Sequence, residues 1–238
     1  MRKALVFPLL FSLLILHFSI PSRCAVRKID DLSTQRFVLQ TSHGDLHLAL
    51  YPNAAPKTCA LMTKLLQLGC YNTNHFFRVD KGFVAQVAGV EGNLLYEMND
   101  EQRRYARQTV PLEVHEELKH DRAGLLSLAR HDDPNSGGSS FSIMLGPAPH
   151  LDMNYAIFGE VTEGLETLRS METVETTRDG IFVMPVERIT IHSTYVYDAH
   201  ATDGAEGETL KNQTGGSCDA EVLSALQLVR RELVRDSL

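Results

Sequence analysis

Apolar positions along this chain change their period several times, and each change marks an element. Residues 36–41 alternate Phe37 and Leu39 with polar neighbours, and residues 45–51 alternate Leu46, Leu48 and Leu50. A period of two puts every second side chain on one face of a strand. His43-Gly44 between the runs predicts a hairpin turn. From Pro56 the period lengthens, and Leu61, Met62, Leu65, Leu66 and Leu68 recur at helical spacing until Gly69. Proline suits the first turn of a helix and glycine the position past its end, so a helix is predicted here. Strand-like runs follow at 75–79, 83–88, 125–129, 140–145, 155–160 and 188–196, with a second helix at about 163–172 around Leu165 and Leu168. Eight strands predict a mainly β fold, a closed eight-stranded barrel capped by two helices. Closure fills the interior with side chains and removes sheet edges.

Other stretches break this rhythm. Within 89–123, the charged run Glu97 to Arg107 reads equally well as a solvated helix or a loop. Residues 198–219 are rich in Gly, Thr, Asp, Ser and Glu and read as a flexible linker. Residues 220–238 regain helical spacing through Val222, Leu226, Val229 and Leu233, which predicts an extra C-terminal amphipathic helix. That helix either packs on the surface or binds a partner. At the other end, Met1-Arg2-Lys3, the apolar run Ala4 to Ile20 and Ser22-Arg23-Cys24 before Ala25 read as a secretory signal peptide over 1–24, with 25–35 as a lead. An uncleaved membrane anchor is the competing reading. The run is short for a span of about 20 residues, and Pro8 interrupts it.

Composition narrows the classes. A hydrophobic share of 43% in 238 residues suits one packed domain with appendages. The net charge of −7 argues against nucleic acid as a partner. Cys24 leaves with a cleaved signal, and Cys59, Cys70 and Cys218 remain. An unbroken helix would hold Cys59 and Cys70 about 16 Å apart, too far for a disulfide. No zinc spacing is present: His115 and His120 are five apart, wrong for one helical face, and His131 is no closer in pattern. Asn212-Gln213-Thr214 is a glycosylation sequon in the linker.

The candidate chemistry lies in Phe76-Phe77-Arg78-Val79-Asp80-Lys81-Gly82-Phe83-Val84-Ala85-Gln86. It reads as two short strands joined by a turn at Lys81-Gly82. Plain alternation puts Arg78 on the face of Phe76 and Gln86 on that of Val84. Arginine among apolar residues is rare without a partner or a role. The spacing resembles the cyclophilin family of peptidyl-prolyl cis-trans isomerases, with its F-H-R-x-x-x-G-F-x-x-Q-G-G signature. Gly124-Leu125-Leu126-Ser127-Leu128-Ala129 is similar to the family's G-x-L-S-M-A, and Pro134-Asn135-Ser136-Gly137-Gly138-Ser139 to P-N-x-N-G-S. Leu151-Asp152 and Phe158-Gly159-Glu160-Val161 resemble W-L-D … F-G-x-V. The likeness covers about residues 36–197.

This resemblance implies a cyclophilin-like barrel acting on Xaa-Pro segments of client polypeptides. It implies a monomer with no cofactor, touching a membrane only if its N-terminal segment stays uncleaved. It implies catalytic roles for Arg78, which donates toward the prolyl nitrogen, for Phe83, which walls the proline pocket, and for Gln86, which binds substrate backbone and orients Arg78. Val84, Ala129, Arg130, Ser140, Ser142, His150, Leu151 and Tyr155 fall at substrate-binding positions. Five of these depart from the family: Val84 stands for methionine, Ser140 for glutamine, Ser142 for phenylalanine, His150 for tryptophan and Tyr155 for histidine. The eroded pocket predicts weak isomerase activity in the secretory pathway. A non-catalytic prolyl-peptide-binding chaperone or scaffold is the alternative. A hydrolase built on Ser139 or Ser140 with His131 or His150 and Asp152 lacks the G-x-S-x-G elbow.

Overall fold

A computed structural model describes residues 28–180 and 182–199. In chain order the elements are β1 (Gln35–Thr41), β2 (Gly44–Leu50), α1 (Pro56–Gln67), β3 (His75–Asp80), β4 (Val84–Val87), α2 (Asp100–Ala106), β5 (Leu125–Leu128) and β6 (Phe141–Met144). A short 3-10 turn (Pro149–Leu151) precedes β7 (Ile157–Glu163), α3 (Leu165–Met171), β8 (Thr176–Asp179), β9 (Phe182–Pro185) and β10 (Ile189–Asp198). Eight strands close into a barrel in the order β1-β10-β3-β4-β6-β5-β7-β2, and β8 and β9 form a separate hairpin. The chain divides into compact units Met1–Val196 and Tyr197–Leu238. The signal segment 1–24, most of the linker, Asn212 and the C-terminal helix lie outside the described residues.

Local rules account for most boundaries. The β1–β2 hairpin closes with Thr41 opposite Gly44, whose φ of 123° glycine alone adopts easily. α1 starts on Pro56 and ends in a Schellman arrangement, with Gly69 N–H donating to Leu66 and Cys70 N–H to Leu65. Its N-cap, Ala55, has no side chain to offer. Glu113, from the long segment before β5, accepts from Lys57 N–H, Thr58 N–H and Thr58 Oγ1 instead. That carboxylate also faces the positive end of the helix dipole.

Alternation sorts the barrel strands into two packed layers. Leu39, Leu48, Phe76, Ala85, Leu126, Phe141, Ile143 and Phe158 fill the interior, and Met62, Leu65, Leu168 and Met171 from α1 and α3 close it. The opposite face of β4, β5, β6 and β7 carries a second cluster: Val84, Leu125, Met144 and Ile157, with Tyr51 and Ala148. Cys59 and Cys70 are buried and, among the described residues, unpaired, and burial pushes their thiols up to about 12 and 11. They behave as small apolar residues.

One reading left open by the sequence is decided, and two features differ from expectation. The charged run at 97–107 contains a true helix, α2, started by a capping box between Asn99 and Gln102. Gln102 also donates to Leu68 at the end of α1. The β8–β9 hairpin was not expected at all. It turns through Gly180, at φ 59°, after the pair Asp179–Phe182. Finally, Phe76 and Arg78 do not share a face. The β3–β4 register shifts between them: Phe76 pairs with Val87 in the interior, and Arg78 pairs with Gln86 on the outside. The bulge at Phe77 inserts one residue and reverses the alternation.

Candidate functional site

The bulge assembles the site. With Arg78 turned outward, successive pairings line up Arg78, Gln86, Ser142 and Ser127 across β3, β4, β6 and β5 on one face of the sheet. Beside that row lies the apolar pair Val84–Met144. The row lies along a cleft of about 790 Å³.

Arg78 is held from several sides. Its Nη2 donates to Asp80 at 3.0 Å, and its Cζ lies 5.2 Å from the centroid of Phe83 and 5.9 Å from that of Phe182. Guanidinium over an aromatic face is attracted by the ring quadrupole. Its Nε is buried with no hydrogen-bond partner among the described residues. A charged donor is thus clamped at one end and unsatisfied on an edge beside the cleft.

Phe83 follows a tight turn closed by its N–H on Asp80 C=O, with Gly82 at φ 73°. Its own C=O accepts from Leu145 N–H. Gly146 must be glycine here, because a Cβ would sit 2.5 Å from the Gly82 carbonyl oxygen. His150 stacks on Phe83 at 5.4 Å, and Leu151 lines the cleft next to them. Val84 is almost fully buried under this wall.

Gln86 does not orient Arg78 as expected. Its amide donates to Ser140 Oγ at 3.3 Å, and Ser140 in turn donates to Val87 C=O. Arg78 takes its orientation from Asp80 and the two rings. Ser140 therefore positions Gln86. At the far end Ala129 lines the cleft with Arg130, whose guanidinium stacks on Tyr155 at 4.9 Å and donates to Asn154 and His131 carbonyls. The cleft continues between Arg107 and Glu91, which are paired at 2.8 Å.

Two groups escaped sequence reasoning. Phe182, from the β8–β9 hairpin, lines the cleft and packs against Phe77 at 5.7 Å. The other is a buried chain beneath the cleft. Ser127 Oγ bonds His120 Nε2 at 3.0 Å, and His120 Nδ1 bonds Asp152 at 3.0 Å. Asp152 also accepts the His120 backbone N–H. Burial holds His120 below its ordinary 6.5, against the opposing pull of Asp152. Burial alone would raise Asp152, but its bonds from His120 and the nearby charges outweigh this and hold it below its ordinary range. A neutral imidazole beside an ionised carboxylate satisfies both directions. The serines of the hydrolase reading are engaged elsewhere: Ser139 Oγ accepts Val90 N–H, and Ser140 serves Gln86. His115 bonds the Ala54 carbonyl.

Residues 36–196 match the family described as cyclophilin type peptidyl-prolyl cis-trans isomerase/CLD. The chain is 58% identical to peptidyl-prolyl cis-trans isomerase CYP23 of Arabidopsis thaliana over 168 residues, covering 71% of this chain and 74% of that protein. It is 35% identical to the human peptidyl-prolyl cis-trans isomerase-like 3, covering 65% and 94%. Among solved structures, a Cryptosporidium parvum cyclophilin-type isomerase superposes with a TM-score of 0.59 at 30% identity, covering 69% of this chain and 98% of that one. The same protein in the presence of the dipeptide ala-pro gives 0.58 at 29%, covering 68% and 99%. With the closed barrel and the outward Arg78 row, these likenesses place the chain in the cyclophilin-type peptidyl-prolyl cis-trans isomerase family.

Proposed function

We propose that this chain accelerates cis–trans isomerisation of Xaa-Pro bonds in client polypeptides of the secretory pathway, at a reduced rate. The observation that carries the reading is Arg78: a clamped guanidinium with an unpartnered Nε–H beside an aromatic-walled cleft. Amide resonance sets a barrier of roughly 18–20 kcal/mol to rotation. The two prolyl isomers are close in energy yet exchange slowly. Catalysis here needs neither nucleophile nor proton shuttle. Phe83 and Leu151 hold the ring while the bond ahead of it turns. A donor aimed at the prolyl nitrogen is effective only once that nitrogen leaves the amide plane, so it binds the twisted state preferentially. Arginine keeps its charge in a half-buried site. Ala129 and Arg130 lie where an extended substrate could run alongside the sheet. The ala-pro dipeptide present with the Cryptosporidium neighbour supports this substrate class.

The reduced rate follows from Ser142, which leaves part of the ring-binding surface open where an aromatic side chain would fill it. Exchange spectroscopy on a model Xaa-Pro peptide tests both points. Arg78→Ala should lower kcat/KM at least about a hundredfold, roughly 2.7 kcal/mol of transition-state binding. Ser142→Phe should raise it. Exchange that is indifferent to Arg78 would refute the assignment. Exchange at background with peptide still bound would favour the binding-module alternative, toward which Ser142 and Tyr155 point. The secretory assignment rests on the apolar run 4–20 and the Asn212 sequon. A mobility shift on deglycosylation checks it.

A further inference from the structure

The cleft has apolar walls but a polar floor. Phe83, with His150 stacked on it, and Leu151 are the walls. Beneath them the pair Val84–Met144 gives way to Gln86–Ser142, and Ser142 pairs in turn with Ser127. Ser142 is half-buried, and its hydroxyl makes no hydrogen bond among the described residues. Ser127 is 3% exposed yet still borders the cleft. Its proton is already committed. An ionised Asp152 can only accept, so His120 carries its hydrogen on Nδ1, and Nε2 takes the Ser127 O–H. The Ser127 oxygen keeps its lone pairs. The floor therefore offers one acceptor, Ser127, and one rotatable hydroxyl, Ser142.

An unsubstituted proline ring is hydrocarbon from Cβ to Cδ and satisfies neither group. Leaving polar groups unpaired under a bound ligand costs affinity. A hydroxyl on the ring could donate to one serine and accept from the other. Cγ is the ring atom farthest from the backbone, so it reaches deepest when the ring enters between Phe83 and Leu151.

Resting on the isomerase reading, we propose that the preferred substrates are segments whose proline is hydroxylated at Cγ, with the hydroxyl held by Ser142 and Ser127. A site that bonds a substrate hydroxyl discriminates against the analogue lacking it. Water can reach this cleft and solvate the serines when the ring is bare, so the expected preference is about tenfold.

The test uses the full chain and exchange spectroscopy on five otherwise identical peptides, with proline, both epimers of 4-hydroxyproline and the two matching epimers of 4-fluoroproline. Each fluoro peptide reproduces the inductive effect on the ring without an O–H. One hydroxyl epimer should exceed both the prolyl and its matching fluoro peptide about tenfold in kcat/KM. Ser142→Ala should bring that ratio down to the fluoro value, whatever it does to the prolyl rate. A ratio no higher than fluoro, or one that survives Ser142→Ala, overturns the proposal while leaving Arg78-dependent isomerisation of the prolyl peptide intact. If no peptide exchanges, the isomerase reading fails instead, and peptide titration decides this inference: tighter, Ser142-dependent binding of a hydroxylated peptide sustains it, and equal binding ends it.

Discussion

Arg78 shows how much one residue's orientation can carry. A single extra residue at Phe77 turns it from the packed interior to the cleft. Asp80, two positions on, then fixes the guanidinium through Nη2. The pair is partly buried, with side-chain exposures of 18% and 30%, so water screens it less than a surface pair. Asp80→Asn should keep the fold but loosen the guanidinium. The expected outcome is a several-fold fall in kcat with a smaller change in KM, measured by exchange spectroscopy over a range of peptide concentrations. A loss entirely in KM would mean that Asp80 serves binding and not the aim of Arg78.

Elements outside the barrel finish the site. The β8–β9 hairpin brings Phe182 to Arg78 and Phe77 from over a hundred residues away in sequence. Its only local signal is Gly180, just after Asp179 and before Phe182-Val183, in a stretch with little alternation. Phe182→Ala should free Arg78 to sample other rotamers and lower kcat/KM roughly two- to fivefold, since one such ring contact contributes about 0.5–1 kcal/mol at an exposed site. The midpoint of thermal unfolding should hardly move, because Phe182 is 38% exposed. A large drop in that midpoint would reassign the hairpin to stability.

The whole molecule carries a pH signature. His120 and His75 are both held below their ordinary 6.5, in each case chiefly by burial. As pH falls through 6.5 the unfolded chain takes up protons that the folded imidazoles resist, so the unfolded state gains. Stability should be full above about pH 7 and decline toward pH 5. Asp152, held low, adds a second loss as pH drops past its ordinary 3.8. Thermal unfolding followed from pH 8 to about 3 measures this, and His120→Gln should flatten the slope between about 7 and 5. An unchanged slope would place the effect on His75 or elsewhere. Because Ser127 gives its proton to neutral His120, the same acidification should also change the donor pattern on the cleft floor.

Local periodicity was enough to read eight strands, two helices and the turn at Lys81-Gly82, while Arg78, Phe83 and Gln86 stood out by their spacing, which resembles a family signature. Each depends on residues a few positions apart, and side-chain alternation and helix-end chemistry act over that range. The bulge, the Ser127–His120–Asp152 chain, the β8–β9 hairpin and the transfer of Gln86 from Arg78 to Ser140 were decided by the tertiary structure. Which strand lies beside which, and in what register, is settled by closing the barrel around one shared core. Side chains distant in sequence meet only after that closure, so no pattern along the chain could announce them.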